Sequence, residues 1–303
     1  MDLLSIDDLT DAQIATILDQ AERWFAFNRQ PRRNDRRLDG LTILNAFFEN
    51  STRTLLSFEI AAKRLGAQMV TMQVEHSSIK KGETLEDTAR TLNAMRPDAL
   101  VIRHGTSGAP RAVAEIMDCP VINAGDGTGE HPTQALLDAA TLRHRFGRIE
   151  GLKIAICGDL AHSRVARSNG KLLPRLGAEV RFAGPPSLIP PDFEGSGAIN
   201  EAVEGADVVM MLRIQRERLE EDLNDGPGEY LDRYGLTAEL FSRAAPGAVV
   251  MHPGPINRGV EIDGVLADDP ERSLITLQVE MGVAVRMACL DLLAAERLTV
   301  KPA

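Results

Sequence analysis

From Leu41 to Phe48 the chain is almost continuously apolar, and the run stops at Glu49-Asn50-Ser51-Thr52-Arg53-Thr54, where a different period begins. Leu55, Phe58, Ala62 and Leu65 then recur at three- and four-residue spacing, with Gly66 placed to end a helix. A buried strand feeding a helix start is therefore predicted here, and the same alternation runs along the whole chain. After a first helix, capped by Thr10 with Gln13 in the capping-box position, strands are predicted near Leu41–Phe47, Gln68–Val74, Ala99–Arg103 and Val121–Asn123, with helices between them. Gly147-Arg148-Ile149-Glu150-Gly151 reads as a joint. A second series follows, at Lys153–Cys157, Glu179–Ala183, Asp207–Leu212 and Ala248–Met251. The expected fold class is α/β, as two doubly wound parallel-sheet domains covering residues 1–146 and 147–277. A mostly apolar last helix, near Gln278 to Glu296 within a segment 278–303, is expected to return and complete the first domain. There is no internal repeat or low-complexity tract.

Composition narrows the class of function. A chain of 303 residues with 44% hydrophobic content is long enough for two packed cores. Its net charge of -10 and pI near 5.2 argue against a general nucleic-acid or membrane-surface role, so an anionic ligand needs a local basic cluster. Cys119, Cys157 and Cys289 are odd in number and set in apolar surroundings, which points to buried reduced thiols rather than a disulfide or a metal site. Met1 to Thr10 carries three aspartates instead of a basic-then-apolar signal, and no apolar run reaches the ~20 residues that span a bilayer. A cytoplasmic protein is expected.

Four constellations carry candidate chemistry. Ser51 to Thr54 fall in the first turn of a helix, where unpaired amides and the positive dipole end suit an anion; hydroxyls and Arg53 add to that, although an ordinary N-cap has similar residues. Gly125-Asp126-Gly127-Thr128-Gly129-Glu130-His131-Pro132-Thr133-Gln134 gives a tight loop with Pro132 in a first helical turn. There His131 and Gln134, three apart, project from one face, as ligands for a carbonyl oxygen and an amide or as an exposed histidine beside a capping glutamine. Cys157-Gly158-Asp159-Leu160-Ala161-His162-Ser163-Arg164 follows a strand where a dinucleotide loop would sit, but the Gly-x-Gly-x-x-Gly spacing is absent. Arg164 suits a carboxylate, and Arg213, at a second strand end with Gln215 close by, suits the same; either can also be a surface charge. In Met251-His252-Pro253-Gly254-Pro255-Ile256-Asn257-Arg258-Gly259-Val260-Glu261, prolines around Gly254 fix an extended backbone whose carbonyls could face an amine, or form a rigid turn.

Taken jointly, Ser51-Thr52-Arg53-Thr54, Lys80-Lys81-Gly82-Glu83, His131-Pro132-Thr133-Gln134, Arg213-Ile214-Gln215 and His252-Pro253-Gly254-Pro255 resemble, in order and spacing, the catalytic chains of the aspartate transcarbamoylase family. The resemblance covers nearly the whole chain and implies a transcarbamoylase-like fold and transfer of the carbamoyl group of carbamoyl phosphate to the amine of L-aspartate, in pyrimidine synthesis. By it Ser51, Thr52, Arg53 and Thr54 are phosphate ligands. Thr54, Arg103 and His131 meet the carbonyl oxygen, and Gln134 holds the carbamoyl amide. Arg164 and Arg213 clamp the aspartate carboxylates, with Gln215 beside them and the Gly254–Pro255 backbone near the amine. Ser77 and Lys81 come from the neighbouring subunit, so the resemblance implies a homotrimer with shared sites, no metal or organic cofactor, and substrates bound by opposite halves that close together. Ornithine transcarbamoylase shares the phosphate pattern, but its second substrate carries a cationic side chain, and its members read His-Cys-Leu-Pro where this chain has His252-Pro253-Gly254-Pro255. A catalytically silent scaffold would not need every matched residue. Gly254-Pro255-Ile256-Asn257-Arg258 also departs from the Leu-Pro-Arg form of members that assemble with zinc-binding regulatory chains, and looks more like bacterial members that work as bare trimers or alongside dihydroorotase. His76, His104, His144 and His162 lack ligand spacing and are expected to be structural or solvent-facing.

Overall fold

The structure is a computed structural model of the chain, described here for residues 1–72, 82–193, 197–214 and 227–298. It divides into two compact units, Met1–Ala140 with Val279–Ala303, and Thr141–Gln278.

The first unit is built on four parallel strands, β1 (Thr42–Phe47), β2 (Gln68–Met72), β3 (Ala99–His104) and β4 (Val121–Asp126), in the order β2-β1-β3-β4. Phe47 is in register with Arg103, so these two strands end side by side. Helix α1 (Asp11–Asn28) has Thr10 as its N-cap with the capping box to Gln13 formed in both directions. Helices α2 (Thr52–Arg64), α3 (Leu85–Ala94) and α4 (Ala109–Ala114) follow β1, β2 and β3. Helix α2 ends at Leu65, and Gly66, at φ +86°, turns the chain in the left-handed region; a Cβ there would lie 3.1 Å from Asp35 O. Central strands β1 and β3 are buried nearly throughout, with Leu44, Ala46, Leu100 and Ile102 in one cluster with Val113 and Val121, whereas edge strand β2 is partly exposed. Burial on both faces is what makes such strands read as continuous apolar runs.

The second unit repeats the plan with β5 (Lys153–Cys157), β6 (Glu179–Ala183), β7 (Val208–Met211) and β8 (Val249–Met251) in the order β6-β5-β7-β8, all parallel. Its helices include α6 (Arg164–Arg175), α7 (Ile199–Val203), α8 (Pro227–Tyr234), α9 (Ala238–Phe241) and α10 (Gly264–Ala267). The boundaries between units fall inside α5 (Pro132–Phe146) and near the start of α11 (Ile275–Ala294).

Strand β4 runs three residues beyond the sequence expectation, which stopped at Asn123. The fully buried Asn123 side chain donates to Leu4 O at 2.8 Å and accepts from Gly125 N at 2.8 Å, and Leu3 bridges to Ile122. These bonds carry the strand through Ala124 and Gly125, which have little strand preference of their own. Conversely β7 begins at Val208: the Asp207 carboxylate accepts from Lys153 N at 2.9 Å, tying the strand start to β5.

Candidate functional site

Both sheets change winding direction at their centre, between β1 and β3 in the first and between β5 and β7 in the second. Outside the carboxyl ends of the strands at such a point the connections run off in opposite directions and leave a crevice, which is where open α/β sheets bind ligands. In the first unit β1 leads directly to Ser51-Thr52-Arg53-Thr54. Ser51 is the N-cap of α2 at φ -157° and ψ 99°, but its hydroxyl makes no capping hydrogen bond, so the ordinary-cap reading does not hold for it. Thr52 and Arg53 are exposed and Thr54 is buried. The first-turn amides and the positive dipole end face the same edge.

Arg103, the partner of Phe47 in register, brings its guanidinium to that edge. Its Nη1 donates to Ala124 O at 3.2 Å and its Nε lies 3.2 Å from Glu49 Oε2, with the side chain mostly buried. The loop carrying His131 is tied to the end of the same strand. Gly127 N donates to His104 O at 2.8 Å, Gly108 N to Asp126 Oδ1 at 2.8 Å, and Thr128 N to Ser107 Oγ at 3.1 Å. Glu130 anchors the loop's far side by accepting from Ser5 Oγ at 2.5 Å and Ile6 N at 3.0 Å. His131 and Gln134 are both buried at the start of α5, with Gln134 N donating to His131 O at 2.9 Å. The exposed-histidine reading is thereby corrected: the loop bonds above pull this helix start into the unit. Ser51, Thr52, Arg53, Thr54, Arg103, His131 and Gln134 thus all belong to the carboxyl edge of one sheet.

In the second unit, Gly158 follows β5 at φ +130°, where a Cβ would sit 3.0 Å from Leu212 O; only a glycine lets the ends of β5 and β7 approach so closely. Asp159 and His162 then pair, Nδ1 to Oδ1 at 2.9 Å, and the Ser163 hydroxyl caps α6 by accepting from Ala166 N at 3.1 Å. Arg164 is the first residue of that helix and is half-buried, while Arg213, two residues past β7, is exposed. After β8 the chain is held by a web of hydrogen bonds centred on the buried His252 and Glu261. Gly254 N donates to His252 Nδ1 at 2.8 Å, leaving Nε2 as the protonated nitrogen that faces Glu261 Oε1 at 3.2 Å. Glu261 Oε1 also accepts from Asn257 N at 2.5 Å, and Asn257 Nδ2 donates to Ile214 O at 2.8 Å. The Gly254–Pro255 bond is cis, with Gly254 at φ +69°. The Gly254–Pro255 turn and the strand end bearing Arg213 are therefore joined in one network.

Lys80, Lys81, Ser77, His76 and Gln215 lie outside the described residues. Sequence reasoning passed over Glu130, Asp138, Glu261 and Arg286, all of them buried charged residues. Arg286 in α11 and Asp138, four residues after Gln134, signal themselves only as charges inside otherwise apolar stretches. The three cysteines are free and buried. Burial pushes Cys119 up to about 11 and both Cys157 and Cys289 up to about 12. Among the described residues no group of three or more His, Cys, Asp or Glu is arranged to hold a metal ion, and no helix is long and apolar enough to cross a membrane. His104 accepts from Thr106 N at 2.9 Å and lies against the Phe48 ring.

Residues 1–144 match the carbamoyl-P binding domain of aspartate/ornithine carbamoyltransferases, and residues 150–293 match the Asp/Orn binding domain of the same family. The aspartate carbamoyltransferase catalytic subunit of Rhizorhabdus wittichii is 60% identical, over 99% of this chain and 96% of that protein. Among solved structures, aspartate transcarbamoylase from Trypanosoma cruzi in complex with N-(phosphonacetyl)-L-aspartic acid superposes with a TM-score of 0.86 at 33% identity, covering 95% of this chain and 94% of that one. Ornithine carbamoyltransferase from Pyrococcus furiosus superposes as well, at 0.85, with 29% identity and 96% of each chain covered. Backbone shape alone therefore does not separate the two kinds of carbamoyltransferase, whereas sequence identity is far higher to the aspartate one.

Proposed function

The chain belongs to the aspartate/ornithine carbamoyltransferase family, and from that premise we propose that it transfers the carbamoyl group of carbamoyl phosphate to the amine of L-aspartate, giving N-carbamoyl-L-aspartate and phosphate. The observation that carries this reading is the pair of switch-point edges, one ending in hydroxyls, helix amides and arginines, the other in Arg164 and Arg213. The first has the chemistry of a phosphate site. The second is cationic and suits a dicarboxylate, whereas the side chain of ornithine would be repelled.

In this reading Ser51, Thr52, Arg53, Thr54 and Arg103 bind the phosphate. Thr54, Arg103 and His131 also donate to the carbonyl oxygen, and the Gln134 amide receives the carbamoyl NH2. Arg164, Arg213 and Gln215 hold aspartate, with the Gly254 and Pro255 backbone near its amine. The neutral amine attacks the carbamoyl carbon, a C–N bond forms, and the carbonyl oxygen takes the negative charge. The C–O bond to phosphate then breaks, the electron pair leaves with phosphate, and phosphate accepts the amine proton. Orienting two anions against their repulsion gives the largest share of the rate, with ~7–11 kcal/mol available from proximity. Each donor on the oxyanion contributes roughly 2.7–4 kcal/mol more. The working unit is a cytoplasmic homotrimer in which a neighbour lends Ser77 and Lys81.

Incubation of the purified chain with carbamoyl-labelled substrate and L-aspartate, with molar mass measured on the same sample, tests this. Labelled carbamoyl-aspartate from a trimer is expected. A trimer that makes no product from any amino acid would mark a silent scaffold and refute the reading.

A further inference from the structure

Gln134 and Asp138 stand one turn apart on α5, and Gln134 Nε2 donates to Asp138 Oδ1 at 3.0 Å in a buried pair. A glutamine amide turned over by half a rotation exchanges its donor for its acceptor, so an unrestrained Gln134 presents either group to a ligand. A carboxylate only accepts. Rotation of Gln134 would therefore set its Oε1 against Asp138 Oδ1 with no proton between them, a repulsive arrangement inside a fully buried environment.

A buried cation on the last helix lies within electrostatic reach of Asp138. Arg286 of α11 is buried, lies over the Phe58 ring at 5.2 Å and donates from Nη1 to Gly282 O at 3.3 Å. Burial lowers it to about 10, with Cys289 and Asp138 working the other way, so it remains a cation at neutral pH. Gly282 makes room for it, since a Cβ there would lie 2.8 Å from Arg286 Nη1.

We infer that Asp138 is a positioning residue that locks the Gln134 amide with Nε2 turned inward and Oε1 toward the acyl group of the donor, so that the site selects an acyl phosphate bearing NH2 over its methyl isostere. The inference rests on the proposed role of Gln134 as the partner of the carbamoyl amide. Asp138→Asn supplies a donor of its own. The Gln134 amide can then turn over and present NH2 to the NH2 of carbamoyl phosphate, while acetyl phosphate, with a methyl group there, is indifferent to the turn.

The test uses steady-state kinetics on the intact assembly, with acetyl phosphate and inorganic phosphate as competitive inhibitors against carbamoyl phosphate. In Asp138→Asn the KM for carbamoyl phosphate is expected to rise roughly 10- to 100-fold, while Ki for acetyl phosphate and for phosphate stays within about twofold. In a Gln134→Leu background, Asp138→Asn should add nothing further to the loss of discrimination. Weakening of all three ligands in parallel, or an additive effect in the Gln134→Leu background, overturns the positioning role and marks Asp138 as structural only. Lack of carbamoyl transfer by the wild type would instead refute the functional reading beneath it. Should Asp138→Asn fail to fold, side-chain amide NMR of the wild type decides. The Gln134 NH2 resonances should stay shifted and slowly exchanging when carbamoyl phosphate is added, and their release on binding would overturn the inference.

Discussion

Replacing Glu261 by alanine removes the carboxylate whose Oε1 accepts from two donors, the part-buried Asn257 N at 2.5 Å and the buried His252 Nε2 at 3.2 Å. Neither His252 nor Glu261 has any exposed side-chain surface, so water cannot take the place of the lost acceptor. A buried donor left unpaired costs about 1–3 kcal/mol; with the part-buried second donor and the cavity left behind, the total is about 2–6 kcal/mol. The damage spreads in two directions. His252 accepts from Gly254 N, and Asn257 donates to Ile214 O, so the Gly254–Pro255 turn and the strand end bearing Arg213 loosen together. Glu261→Ala should therefore lose about 2–6 kcal/mol in urea unfolding and raise the KM for aspartate roughly tenfold, equivalent to about 1.4 kcal/mol of misplacement. Phosphate binding, proposed for the other unit, should not change. Glu261→Gln keeps the shared acceptor and exchanges only Oε2, which has no hydrogen-bond partner, for an amide donor. Its cost should be smaller, about 1–3 kcal/mol. Unchanged unfolding in Glu261→Ala, or phosphate affinity falling in step with aspartate affinity, would refute the reasoning.

Further perturbations follow from the same geometry. His131→Ala should lower kcat about 10²- to 10³-fold with phosphate affinity retained, whereas Arg53→Ala should weaken phosphate as well; both are read by initial rates and phosphate inhibition. Gly127→Ala should destabilise by about 1–3 kcal/mol and depress kcat, because the residue sits at φ +50° and a Cβ would lie 2.6 Å from Ser107 N, in the loop that positions His131; thermal unfolding and rates check it. The buried thiols set an alkaline limit. The unfolded chain loses those protons near the ordinary value of 9.0 while the folded chain holds those of Cys157 and Cys289 to about 12. Their contribution is complete below pH 9 and falls as pH rises towards 12, by up to about 1.4 kcal/mol per pH unit per thiol, and Cys157→Ala should flatten that slope in unfolding measured at several pH values.

The two-sheet plan was legible because its central strands are covered on both faces. Thr42–Phe47 and Lys153–Cys157 leave no room for polar side chains apart from their ends and Asn45, so the apolar runs mark them within a residue. Gly66 was equally readable, as the stop where the helix must turn, whereas the close approach of β5 and β7 at Gly158 emerged only from the fold. Asn123 hid the true end of β4, because a buried asparagine paired with Leu4 and Gly125 looks, in sequence, like a turn residue. Asp138, Glu261 and Arg286 were invisible for a related reason. Their partners are a helical turn away or on distant segments, and no local pattern distinguishes a buried charge with partners from a solvated one. Pattern located the candidate ligand residues, and only the fold revealed the buried charges packed behind them.

The most direct measurement is a competition between L-aspartate and L-ornithine for carbamoyl transfer by the wild-type assembly, compared as kcat/KM. If Arg164 and Arg213 hold the amino-acid substrate as proposed, aspartate should be preferred by roughly a thousandfold or more. Equal use of the two amino acids, or a preference for ornithine, would contradict the proposed dicarboxylate role of the second unit's strand-end arginines.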